Sequence, residues 1–125
     1  MILVDTSVWV DHLRRGDAQL VALLNNASVL MHPFVVGEIA CGSLADRADV
    51  LGLLQALPAA SVAEQDEVLR FVELHRLWGK GVGYIDVHLL AATSLTSGAA
   101  LWTRHRRLGE AAAALGLAYP GVPRH

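Results

Sequence analysis

At 125 residues the chain suits one hydrophobic core, and a single domain over residues 1–125 is expected. A net charge of -2 excludes a nucleic-acid binder that works by bulk charge, so any such partner must be held by a local patch. The 54% hydrophobic content suits a sheet covered on both faces or a sizeable contact with a second copy, and no stretch has the ~18 uninterrupted apolar residues of a membrane span.

The elements are read in chain order. Ile2-Leu3-Val4 is short, continuous and β-prone, the signature of a buried parallel strand. Asp5, Thr6 and Ser7 offer capping side chains to a helix that runs to Arg15 and stops at Gly16. Asp17 opens a second helix, with Leu20, Leu23 and Leu24 on one face. Ser28 to Met31 reads as a strand, and Pro33 starts a helix through Glu38 to Gly42. Val50, Leu53, Leu54 and Leu57 have amphipathic spacing, and Pro58 ends that helix. A very short strand is expected around Ala60 to Val62.

Glu64 to Trp78 has the strongest helical pattern. Val68, Phe71, Val72 and His75 form its stripe, widened by Leu74, Leu77 and Trp78. Gly79, Gly81 and Gly83 then make a flexible link. Asp86 to Ser97 is a helix ending before Gly98, Ala99 to Thr103 a strand, Arg107 to Leu115 a helix, and Leu117 to Tyr119 a last strand. Strands alternating with helices define an α/β fold with a mainly parallel sheet, whose function collects at the carboxyl ends of the strands. Cys41, the one cysteine, excludes an internal disulfide, suits a reducing cytoplasm and is expected to be a small buried hydrophobe. Met1 to Val10 is interrupted by Asp5 and lacks a preceding basic region, so it does not read as a signal peptide.

Three acidic residues end apolar stretches: Asp5, Glu38 and Asp86. A carboxylate against buried apolar surface is costly unless paired. Three of them near one sheet edge form a pocket that a cation relieves, the layout of a divalent-metal site for phosphate chemistry. Taken singly, Asp5 and Asp86 are explained as helix-start residues, whereas Glu38 lies inside a helix among Val36, Ile39 and Ala40. Arg104, Arg106 and Arg107 crowd a helix N-terminus against its dipole, which favours a phosphate-binding role, with Arg14 and Arg15 as possible additions. His12, His32, His75 and His88 show no metal-ligand spacing and read as surface or satisfied core histidines. The three Trp read as packing groups, with Trp9 and Trp102 next to the site.

V-D-T-S-V-W at Val4 to Trp9, V-G-E-I-A-C-G at Val36 to Gly42 and G-Y-I-D-V-H-L-L-A-A at Gly83 to Ala92 resemble the successive motifs of PIN-domain ribonucleases. With L-W-T-R-H-R-R-L at Leu101 to Leu108 and the short length, the chain resembles the VapC-type toxins of bacterial toxin–antitoxin pairs, over almost its whole length. The resemblance implies a three-layer α/β/α sandwich, Mg²⁺ or Mn²⁺ held by Asp5, Glu38 and Asp86, endonucleolytic hydrolysis of RNA, and a small antitoxin that covers the acidic pocket. Thr103, Arg104, His105, Arg106 and Arg107 are the expected substrate-binding segment, and a homodimer is expected from the apolar content.

The chain departs from the family at His105, where a fourth acidic residue is usual. Imidazole suits Mn²⁺ or Zn²⁺ better than Mg²⁺; it also suits a phosphate donor, a general acid or a plain surface residue. An aspartyl-phosphate enzyme is disfavoured because Ser7 stands where a second Asp is expected. A receiver-type phosphoacceptor domain lacks its paired acids here. A catalytically weak PIN-like module that binds RNA or a protein remains the alternative to an enzyme.

Overall fold

The computed structural model describes residues 1–121. β1 (Ile2–Val4) is the central strand of a parallel sheet of order β2-β1-β3, flanked by β2 (Val29–Leu30) and β3 (Ala100–Trp102). Leu3 and Val4 are fully buried, as a strand covered on both faces requires. Single parallel bridges extend the sheet at both edges, Met31 with Ala59 and Leu101 with Ala118. The strands expected at 60–62 and 117–119 are thus reduced to one bridge each, the first displaced to Ala59.

Seven helices among the described residues complete an α/β/α sandwich: α1 (Thr6–Arg15), α2 (Ala18–Asn25), α3 (Pro33–Ala40), α4 (Arg47–Gln55), α5 (Gln65–His75), α6 (Tyr84–Leu95) and α7 (Arg106–Ala114). α3 packs on both α1 and α4, while α6 packs on α5 and on β3. The boundaries follow local chemistry. Gly16 stops α1 at φ 76°, a conformation that favours glycine, and the Asp17 carboxylate caps α2 through the Leu20 amide at 2.9 Å. Pro33 occupies the first turn of α3.

Four expectations are corrected. α5 ends at His75, three residues short of Trp78, because Arg76 adopts φ 53° and the Leu77 amide turns back to the Val72 carbonyl at 3.0 Å. That is a Schellman-type stop, and it carries Leu77 into the core while Trp78 is left exposed rather than packed. α6 starts two residues early, so Asp86 is its third residue and not its first. Cys41 follows the last residue of α3 and is exposed. His32 and His88 are buried but not satisfied, since His32 Nε2 and His88 Nδ1 have no hydrogen-bond partner. No helix among the described residues is long and apolar enough to cross a membrane.

Candidate active site

The register of the sheet builds the site. Val4 pairs with Trp102, and the Asp5 amide donates to the Trp102 carbonyl at 2.9 Å, so Asp5 and Thr103 leave the carboxyl ends of β1 and β3 side by side. Asp5 is 6% exposed and stands at the N-cap of α1, yet its carboxylate makes no capping hydrogen bond. It accepts instead from the Ser7 hydroxyl at 2.8 Å and from the Thr103 hydroxyl at 2.7 Å, both on Oδ2. Behind these hydroxyls stand two backbone amides. Arg104 N–H donates to Ser7 Oγ at 2.9 Å and His105 N–H to Thr103 Oγ1 at 3.0 Å. Each amide–hydroxyl pair thus points its dipoles at one carboxylate oxygen.

Glu38 is exposed on α3 and is tied to the same strand end, since the Thr6 hydroxyl donates to its Oε1 at 2.7 Å. Thr6 is a site residue that the sequence reading missed; its only sequence signal is its place directly after Asp5. Asp86 is half-buried on α6 and turns back on its own helix start, accepting the Gly83 amide at 3.2 Å. The structure therefore joins Asp5, Ser7 and Thr103 in one cluster and ties Glu38 to it through Thr6, while Asp86 keeps a local partner.

Among the described residues, no Lys or Arg pairs with Asp5, Glu38 or Asp86. Their donor set is all oxygen, the chemistry of a hard divalent cation. As they stand, no group of three or more His, Cys, Asp or Glu side chains among the described residues is arranged to hold a metal ion. The donor chemistry fits a cation, while Glu38 and Asp86 each also accept a hydrogen bond from the protein.

The basic segment is less free than its sequence suggests. Arg104 bridges Asp11 and Asp17 and lies 5.8 Å over the Trp102 ring. Burial acts to raise the Asp17 carboxyl, but the Leu20 amide and the Arg104 guanidinium outweigh it and hold that group below the usual carboxylate range. Burial likewise works against the Arg104 charge, and the two aspartates more than restore it. Arg104 is therefore an internal clamp between β3, α1 and the start of α2. Arg107 lies against Gly81, where a Cβ would meet its side chain at 3.2 Å. Arg106 lines a cleft beside Thr103. The His105 ring caps α7, Nδ1 accepting the Leu108 amide at 3.2 Å.

A second polar cluster is formed by buried His32 and His88. His32, the N-cap of α3, accepts the Phe34 amide on Nδ1 at 3.0 Å. Its ring is 6.4 Å from that of His88 on α6. Burial, and then the neighbouring His88, push the His32 imidazole down to about 4; burial also lowers His88.

The sheet, the strand-end carboxylate and the acidic residues of α3 and α6 define an α/β domain of nuclease type. The sequence matches the PIN domain family over residues 2–114, and the chain belongs to that family. It is also 51% identical over 118 residues to Ribonuclease VapC32 of two Mycobacterium tuberculosis strains, CDC 1551 / Oshkosh and ATCC 25618 / H37Rv. Each alignment covers 94% of this chain and 95% of the relative.

Proposed function

We propose that this protein is a divalent-metal-dependent endoribonuclease, the toxin of a toxin–antitoxin pair, acting in the cytoplasm with Asp5, Glu38 and Asp86 as the metal-holding carboxylates. The observation that carries this reading is Asp5. A buried aspartate at an N-cap ordinarily caps its helix. This one declines the cap, has no cationic partner among the described residues and is held by two hydroxyls through a single oxygen. The family and the named ribonuclease relative support the same chemistry.

Mg²⁺ or Mn²⁺ suits the all-oxygen donor set; once bound, such an ion offsets phosphate charge and acidifies water. The chain does the rest. Ser7 and Thr103 hold Oδ2 of the Asp5 carboxylate, which leaves Oδ1 for a cation. Thr6 holds Glu38 at the same strand end. Arg106, which is free of the Arg104 clamp, meets the RNA backbone.

Two partners belong to the proposal. A second copy covers the apolar face of α5 and α6, where Leu69, Leu74 and Leu95 are 52%, 76% and 51% exposed and line one groove of 660 Å³. A small antitoxin covers the acidic pocket, next to a cleft where Glu38 meets Val10, Leu13, Ile39, Leu44 and Val50.

Ribonuclease assays in Mg²⁺, Mn²⁺ and EDTA test the reading. Cleavage is expected with either ion and is lost in EDTA. Asp5→Asn is expected to lower the rate by at least about 100-fold, or some 3 kcal/mol of barrier, with the fold kept. One observation favours the alternative of a module that binds without cutting: among the described residues no three His, Cys, Asp or Glu side chains are grouped to hold a metal ion. RNA binding that EDTA does not affect, with no cleavage in either ion, would establish that alternative.

A further inference from the structure

A cleft of 560 Å³ is lined by Thr103, whose hydroxyl holds Asp5. Its walls include Trp102 and Tyr119, whose rings meet at 5.5 Å with planes tilted by 51°. Both rings are only half-buried, so each keeps surface in the cleft. Both are also anchored from behind. The Gln19 amide donates to the Tyr119 hydroxyl, and the Trp102 ring lies under Arg104, itself gripped by Asp11 and Asp17. The backbone at Tyr119 is pinned as well, its amide donating to the Leu101 carbonyl at 2.9 Å.

The charge in the cleft is one-sided. Asp17 is its only acidic lining residue among the described residues, and its carboxylate is engaged by Arg104. Arg106 is 82% exposed, and its one acidic partner among the described residues, Glu110, lies at 3.8 Å, so its guanidinium is available to an anion. An aromatic pair fixed in advance with an available cation at its mouth fits a flat ring that carries a phosphate. No side chain of the aromatic pair has to be ordered when that ligand arrives.

We propose that this cleft is a nucleotide subsite: one base of single-stranded RNA stacks on Tyr119 with Trp102 against its edge, and its phosphate is held by Arg106. It rests on the ribonuclease reading for its place in the reaction, since it sets the next phosphodiester beside Asp5. A base paired within a duplex has no free face to stack, so the subsite selects unpaired RNA.

The test uses the full chain in EDTA, where cleavage does not interfere. Trp78→Phe removes the exposed tryptophan, which does not line the cleft, and fluorescence then follows Trp102 against the buried Trp9. Adenosine or cytidine 5′-monophosphate is expected to quench it, whereas ribose 5-phosphate and inorganic phosphate are not. Tyr119→Ala is expected to weaken binding of a short single-stranded oligoribonucleotide by roughly 5- to 150-fold, the range that stacking of one base spans. Tyr119→Phe, which keeps the ring, retains most of the affinity and guards against misfolding of the alanine variant. In Mg²⁺ the alanine variant raises KM for single-stranded RNA.

The proposal is overturned if the monophosphates leave the fluorescence unchanged or if ribose 5-phosphate quenches it equally. It is also overturned if a folded Tyr119→Ala protein binds and cleaves RNA as the parent does, which rejects the subsite and leaves the nuclease reading intact. Nucleotide binding lost in Tyr119→Ala, with no cleavage by the parent in any metal, does the reverse.

Discussion

Mild acid should destabilise this protein through His32. Its imidazole is fully buried and held down to about 4, from an ordinary value of 6.5, first by burial and second by His88. A base whose folded-state value is depressed costs stability as pH falls, because the unfolded chain takes up a proton that the folded chain refuses. Above pH 6.5 the group contributes nothing to the pH dependence. Between 6.5 and 4 the loss grows, reaching about 2.5 kcal/mol at pH 4.5 for this one group, at 1.36 kcal/mol per unit. His88, also lowered by burial, adds in the same direction. Asp17 does not confuse this window. Its carboxyl is held below 3.8, so its stabilisation is lost only at lower pH. The assay is urea denaturation at pH 7.5 and 4.5 of the parent and of His32→Asn. Asparagine keeps an acceptor for the Phe34 amide but does not titrate. The parent is expected to lose about 2.5 kcal/mol more than the variant between the two pH values. Equal losses would refute the reasoning and move the acid sensitivity elsewhere.

Other perturbations test separate parts of the structure. Leu74→Glu places a charge on the exposed face of α5 and should convert the proposed dimer to monomer in light scattering at micromolar concentration; a parent that is itself monomeric removes the dimer. Arg104→Gln breaks the bridge to Asp11 and Asp17 and should cost about 1 kcal/mol in denaturant unfolding, a modest value because Arg104 is 37% exposed. Its effect on RNA affinity should be smaller than that of Arg106→Gln. His105→Asp should keep the α7 cap and shift metal preference towards Mg²⁺, while His105→Ala loses the cap. Identical metal and pH profiles in parent, His105→Asp and His105→Ala would make His105 a capping residue alone.

Much of the fold was legible because its signals are local. Ile2-Leu3-Val4 reads as a buried strand whatever surrounds it, and Gly16, Asp17 and Pro33 punctuate helices through their own backbone chemistry. The misreadings arise where tertiary contacts override pattern. The apolar spacing of α5 continues through Leu77, so periodicity alone extends the helix, whereas the chain turns at Arg76 to bury Leu77 from another direction. The edge strands are single bridges because few residues there meet a neighbour in register. Arg104 was grouped with Arg106 and Arg107 by adjacency. Its partners lie 93 and 87 residues away, a separation that no local window spans.

The candidate site divides in the same way. Asp5 and Thr103 were legible as strand ends, but the direction of the Asp5 carboxylate was not, and that direction decides its role. The molecule carries its own comparison in His105. Asp5 precedes the helix after β1, and His105 the helix after β3, each at an N-cap in extended backbone. His105 spends its side chain on its helix, taking the Leu108 amide. Asp5, the stronger capping residue by type, forgoes a contribution of about 1 kcal/mol and gives its carboxylate to Ser7 and Thr103 instead. The amide of His105 supports that choice, since it donates to the Thr103 hydroxyl that donates to Asp5. One strand end is thus given to holding a helix and the other to holding a carboxylate at the carboxyl edge of the sheet. Stability alone would favour the cap at both, so the asymmetry supports the proposed role of Asp5 in the chemistry.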